Sequence, residues 1–460
     1  MKLQIIYLLF ILSFILINPL YAEESDQKIT KISISLTEAI ALALNRNTVI
    51  KGNDYTVQGA VLIKNSAESE FDLNIAPELN AGLNSYDYSG LGVGLSKKFL
   101  TGTLVTVTPG FYRDMFGYNT VINTSISQPL LRGFGVFYNS DKIDSSDYSL
   151  KAAKLQMFQK KTEIALDTIK TAYNAARYKE TIDHYKSFIN RLNGYIQTSK
   201  IKEEVGLATP MDVYRAEIGS KQVSSSLSEE KELYENTINH LKTILALPLT
   251  TELEVMTPME IEPFILTDQE AVNTALIYSI ALKQNKIDIE EAKRKSEIAR
   301  QNILPDLNLV LDFNKTQYID SSIGTNPQYY GIMLKSSTDI FRKQEKTTYQ
   351  LSIIKINSLN LDLSTKKDEL IRQVLQQRYA LKKAQELMII KAELIKYAKG
   401  KLALARLKFD HEMADNFDLI TAETELNTAE DGLLEARINY ISAIYDMRAV
   451  LGTLIEYKDE

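Results

Sequence analysis

The sequence has no cysteine among its 460 residues, which excludes disulfides, thiolate metal ligation and a lipid-bearing cysteine at a cleavage site. Long apolar runs are almost as scarce. Ile5 to Ile17 is interrupted only by Ser13, yet at about 13 residues it falls short of the roughly 20 that a spanning helix needs. With Lys2 before it and Leu20-Tyr21-Ala22 after it, the run reads as an export signal over 1–22, cleaved before Glu23. No later stretch approaches about 18 continuous apolar residues, so no later helix is expected to cross a bilayer. Charge of one sign is lacking too. The 53 Lys and Arg are scattered among 59 Asp and Glu, for a net charge of −6, which argues against nucleic acid as a partner.

Catalytic constellations are also missing. His184, His240 and His411 have no His-Glu-x-x-His spacing, and Gly90, Gly92 and Gly94 are followed by a strand-like run with no Gly-Lys-Ser/Thr. No cofactor, metal site or enzymatic activity is expected.

Proline is present but uneven. Leu130 to Thr209 and Gln328 to Glu460 contain none, whereas Pro248, Pro258 and Pro263 crowd the middle. Since proline breaks helix interiors, the empty stretches suit very long helices and 248–266 reads as a linker. Across that linker the sequence repeats. Glu38-Ala39-Ile40 with Ala43-Leu44 recurs 232 positions later as Glu270-Ala271-Val272 with Ala275-Leu276. Asp212-Val213 with Ala216-Glu217 recurs 206 positions later as Asp418-Leu419 with Ala422-Glu423. The first half thus carries 26 extra residues between the two blocks. We expect two repeats, 23–247 and 267–460.

Between the blocks the period changes from helical to two. Leu73, Ile75, Pro77 and Leu79 share one face, and Asn74, Ala76, Glu78 and Asn80 the other. Leu91 to Leu95, Thr103 to Phe111 and Val121 to Gln128 continue in this style, so strands are expected over about 71–129. In the second half Leu307 to Thr316 and Tyr329 to Ile340 place them over about 305–340. A sheet packed on a soluble core would alternate in the same way. If the sheet lies in a membrane, one chain has too few strands to close a barrel, because membrane barrels start at about eight. Several chains must then share one, since open edges are prohibitive in lipid.

The proline-free stretches carry heptad-like seams. Leu166, Ile169, Tyr173 and Ala176 are followed by Ile182, Tyr185, Ile189, Leu192 and Ile196, and the later helix has Leu387, Ile390, Leu394 and Tyr397. Asn139 to about Lys202, and Phe341 to about Phe409, are predicted rods of roughly 95 Å. Shorter helices are expected over Pro210 to Leu245 and Ala414 to Leu451.

Four motifs on this plan resemble the TolC family of outer-membrane efflux proteins over essentially the whole chain. Ser35-Leu36-Thr37-Glu38-Ala39-Ile40-Ala41-Leu42-Ala43-Leu44 is similar to the family's opening. Ser127-Gln128-Pro129-Leu130-Leu131-Arg132-Gly133-Phe134-Gly135 is similar to its strand-to-helix junction. Val205-Gly206-Leu207 with Asp212-Val213 is similar to its hairpin tip, and Leu451-Gly452-Thr453-Leu454 to its closing segment. The resemblance implies an α+β, mainly α fold. Its duplicated helix–strand–helix halves form a trimeric α-helical periplasmic tunnel continuous with a shared transmembrane β-barrel of twelve strands.

It also implies a passive export conduit in the cell outer membrane, for small molecules or polypeptides, within a tripartite efflux pump or a type I secretion system. The partners would be two further copies of the chain, outer-membrane lipid, an inner-membrane pump and a periplasmic adaptor, or membrane fusion protein. Asp212 and Asp418 match the family's acidic constriction, although either carboxylate is also suited to cap a helix. Lys202, Val205, Gly206, Leu207, Lys408 and Glu412 match its adaptor-docking tips. The departures are Glu412 in place of the usual Gly, Thr421 where a second constriction Asp can sit, and lysines where Arg is common. The first half also has room for four strands. Either the barrel exceeds twelve strands, or a hairpin such as Leu91 to Val107 lies outside it. The rival reading, a periplasmic coiled-coil adaptor or structural protein, calls for one hairpin flanked by compact β domains.

Overall fold

The computed structural model describes residues 31–456 apart from 82–88, 115–116, 261–263, 320–325, 412 and 414–415. The expected export signal over 1–22 lies outside the described residues. The first strand, β1 (Lys31–Ser35), leads into α1 (Leu36–Arg46) and α2 (Thr48–Glu68). Strands β2 (Leu73–Ala81), β3 (Ser89–Lys98), β4 (Leu104–Asp114) and β5 (Gly117–Pro129) follow, then the long α3 (Asp141–Glu204) and α4 (Pro210–Ile244). After β6 (Glu252–Met256) the plan repeats as α5 (Asp268–Tyr278), α6 (Ile280–Gln301), β7 (Leu307–Tyr318), β8 (Gln328–Ser336), α7 (Lys343–Asp410) and α8 (Asn416–Val450).

The repeat reaches down to single hydrogen bonds. Ser35 caps α1 in a capping box, its N–H donating to Glu38 at 2.7 Å, and Thr267 caps α5 with Glu270 at 2.9 Å. Asn47 and Ser279, again 232 positions apart, break each first helix from the second and cap the latter. Ala39 and Ala43 are fully buried, as are Ala271 and Ala275, because a small residue lets each first helix lie close on its neighbours. The proline-rich segment is not all coil. Its β6 pairs in parallel with β1, from Lys31 opposite Glu252 to Ser35 opposite Met256.

The principal core joins these parts. Ile169, Tyr173 and Leu241 pack with Ile34, Leu253, Leu434 and Ile438, so the helical halves, β1 and β6 share one apolar centre. At about 1.5 Å per residue, α3 with 64 residues and α7 with 68 are rods of roughly 100 Å. Among the described residues, no helix is long and apolar enough to cross a membrane.

At the far end from the hairpins lies one antiparallel sheet in the order β2-β3-β4-β5-β7-β8. Its register keeps the two faces distinct across all six strands. Leu79 and Leu91 pair on one face, as do Ile75 and Leu95, while Asn80 and Gly90 pair on the other. Both edge strands are exposed almost throughout.

Candidate functional site

The two helical hairpins end in related tips. In the first, Leu207 N donates to Lys202 O at 2.8 Å and Gly206 N to Glu203 O at 2.9 Å. This is the closure that ends a helix through a left-handed residue, and Gly206 takes it at φ +77°. In the second tip Met413 N donates to Lys408 O, also at 2.8 Å, which repeats the longer bond 206 positions on. Glu412, between them, lies outside the described residues. Val205 and Leu207 are exposed, as are Lys408, His411 and Met413.

Asp212 opens α4 three residues after its cap. Its carboxylate accepts from Thr209 N at 3.0 Å and from Thr209 Oγ1 at 2.7 Å, with Arg215 at 3.8 Å. The Thr209 backbone and hydroxyl donors, helped by Arg215, hold this carboxyl below the usual range. Asp418 stands exposed in the first turn of α8. Thr421 is half-buried one turn later. Lys202 and Arg215 tie the two hairpins together. The Lys202 ammonium sits 3.9 Å from the Phe409 ring and the Arg215 guanidinium 5.3 Å from that of Phe417.

Further from the tips is a cluster that the sequence did not reveal. Glu423, about 10 Å along α8 from its start, is 0% exposed. Arg191 Nε lies 2.9 Å from one carboxylate oxygen, while Tyr195 Oη at 2.7 Å and Arg406 Nη2 at 2.5 Å donate to the other. Burial would push this carboxyl up, but the Tyr195 and Arg406 hydrogen bonds and the Arg191 charge outweigh it and hold it low. Three helices therefore meet at one ionised carboxylate: α3, α7 and α8. The duplication offered a partial signal, since Glu423 repeats Glu217. At that equivalent place Glu217 pairs with Lys200 at 2.9 Å in a half-exposed bridge. Nothing in the sequence spacing placed Arg191 and Tyr195 over the second copy.

His184 also joins α3 to α8, its Nδ1 lying 3.3 Å from Asp431. The hydrogen bond to Asp431 outweighs partial burial and raises its pKa.

The model of the outer membrane efflux protein family matches residues 271–453. No curated protein matches the sequence. Among solved structures, the chain is similar to the CmeC outer membrane channel of Campylobacter jejuni, with a TM-score of 0.71 and 13% identity over 95% of this chain and 92% of that one. The outer membrane protein VceC of Vibrio cholerae gives 0.68 and 14% identity, covering 91% and 96%. The open state of the MtrE outer membrane channel of Neisseria gonorrhoeae gives 0.67 and 14%, covering 91% and 89%. At such identities the likeness is one of fold. The match to the outer membrane efflux protein family is thus confined to the second half, whereas the fold shared with these outer-membrane channels extends over nearly the whole chain.

Proposed function

We propose that this chain is the channel subunit of a tripartite efflux pump or type I secretion system, a passive conduit through the outer membrane. The observation that carries this reading is the six-stranded sheet, with an apolar face and two open edges, set at the end of rods roughly 100 Å long. Open edges are prohibitive in lipid, so further copies of the chain must close them. The long helices supply lateral contacts for a trimer. On α7, Ile354, Leu361, Ile390, Tyr397 and Leu404 stand uncovered in a single chain.

Three chains would surround an axis at the hairpin tips. Asp212 and Asp418 repeated about that axis would focus a negative potential and favour cations. The exposed Val205, Leu207 and Lys408, with Lys202, Gly206 and Glu412, would meet a periplasmic adaptor, and an inner-membrane pump would supply the energy. The Glu423 cluster acts as the latch. Any movement of α7 and α8 away from α3 must separate a buried carboxylate from Arg191 and Tyr195. In this reading the cluster joins the two halves, 23–247 and 267–460, which the linker 248–266 connects in the chain.

The test is planar-bilayer conductance of the protein purified from outer membranes. Discrete channels from a trimer support the reading; a monomer without conductance overturns it.

A further inference from the structure

We infer that β3 and β4, the strands through which the first half exceeds the second, belong to the barrel wall, so that three chains close an eighteen-stranded barrel with β2 of each chain beside β8 of the next. The inference rests on the trimeric channel reading above.

Position is the first argument. The hairpin β3–β4 lies inside the sheet, with β2 on one side and β5 on the other, and both neighbours are paired in full ladders. Folding it out of the wall would strip β2 of its partner.

The second argument is sidedness. Following the register across the sheet, Ile75, Leu95, Val107, Thr124, Phe313 and Tyr330 form one row. The adjacent row, on the opposite face, is Asn74, Ser96, Thr106, Ser125, Asp312 and Gly331. The first is apolar but for Thr124, and the second polar or small. That is the pattern of a wall with lipid on one side and water on the other, and β3 and β4 follow it as fully as the rest.

The hairpin is also fixed at its periplasmic turn. Gly102 adopts φ +94°, and a Cβ there would lie 2.5 Å from Gly133 O. Gly135 N donates to Thr101 O at 3.1 Å, and Thr103 donates to Gln128. The turn is thereby tied to the strand-to-helix junction. On the polar face the Tyr112 ring lies over Gly90, Gly92 and Gly110, where a Cβ at Gly90 would come 2.1 Å from it. These glycines let the ring lie flat along the wall.

Closure and circumference agree. Six is even, so β2 and β8 run in opposite directions and meet as an antiparallel pair. With strands about 4.8 Å apart and tilted by about 40°, eighteen give a backbone radius of about 18 Å and twelve about 12 Å. Four helices per chain (α2, α3, α6 and α7) lead into the sheet, and twelve helices spaced about 9 Å apart close at about 17 Å. Eighteen strands continue such a tunnel without a step. The outer-membrane mouth is then as wide as the tunnel, and the hairpin tips alone limit what passes.

The direct test is cryo-electron microscopy of the full chain in lipid nanodiscs. A trimer with eighteen wall strands is expected. A trimer with twelve, and β3–β4 outside the wall, overturns this inference and leaves the channel reading standing; a monomer overturns both. Single cysteines add a second readout in this cysteine-free chain. With a membrane-impermeant maleimide, S96C and T106C should be labelled, whereas L95C and V107C should be protected. Equal labelling of all four would place the hairpin in water and contradict the assignment.

Discussion

The helices α3 and α7 occupy equivalent places in the two halves, and they bury their seams differently. On α3, Ile169, Tyr173, Ile182, Leu192 and Ile196 are all buried within the chain. On α7, Leu387, Ile390, Leu394 and Tyr397 are all exposed, Tyr397 by 70%. The first long helix is the spine on which α2, α4 and α8 pack, whereas the second keeps one side uncovered. A heptad seam states that a partner exists, not whether it belongs to the same chain. The tips repeat the contrast. Lys200 and Glu217 share a surface bridge, whereas Glu423, paired with the half-exposed Arg406, is itself sealed beneath α3.

The largest effect should come from charging the two seams. Leu192→Asp buries a carboxylate in the chain's own core, and a loss of about 4 kcal/mol or more is expected, read as lost helicity. Ile390→Asp with Tyr397→Asp should leave each chain helical and abolish the trimer in native mass spectrometry. Equal loss of helicity in both variants would break the comparison.

Next comes the latch. Glu423→Ala should weaken the contact of α8 with α3 by about 2–4 kcal/mol, seen as a lower Tm and a leaking closed channel. Glu217→Ala should fall within about 0.5 kcal/mol of the parent. The pH dependence follows from the lowered Glu423 pKa. Its contribution is present above the ordinary carboxylate value of 4.5 and is lost as pH falls through the lowered one. Acid should therefore raise the parent's leak but not that of Glu423→Ala.

A smaller change is expected at the aperture. Asp418→Ala should weaken block by multivalent cations several-fold, as the proposed ring of three carboxylates requires. Asp212→Ala should do likewise and also cost about 1 kcal/mol in the cap it shares with Thr209. Unchanged block would remove either residue from that role.

The smallest effect is at His184, whose bridge to Asp431 is partly solvated and contributes at most about 1 kcal/mol. Because its pKa is raised, this contribution is complete below the ordinary 6.5 and disappears as pH rises through the raised value. The Tm gap between parent and His184→Gln should therefore shrink on going from mildly acidic to alkaline buffer.

Much of the fold was legible because local rules write it. Proline-free stretches marked the rods, period-two alternation marked the strands, and two fixed offsets marked the halves. What stayed hidden depends on register or on contact between the halves. Gly90, Gly92 and Gly94 are explained only once Tyr112 is known to lie across the first two and Glu78 against the third. Glu423 was visible as a repeat of Glu217, but its burial comes from Arg191 and Tyr195, which belong to the other half. The pairing of β1 with β6 joins residues about 220 positions apart, through five-residue strands too short to announce a partner.

The uncovered side of α7 is expected to receive another copy of this chain. Ile218 on α4 and Leu404 on α7 are exposed, each about two turns from its tip. In a chain without cysteine, Ile218→Cys paired with Leu404→Cys or Leu407→Cys gives a clean readout after oxidation in outer membranes. Disulfide-linked dimers and trimers are expected on a denaturing gel for at least one pair. Monomers alone from both pairs, with the protein present in the outer membrane, would contradict that expectation.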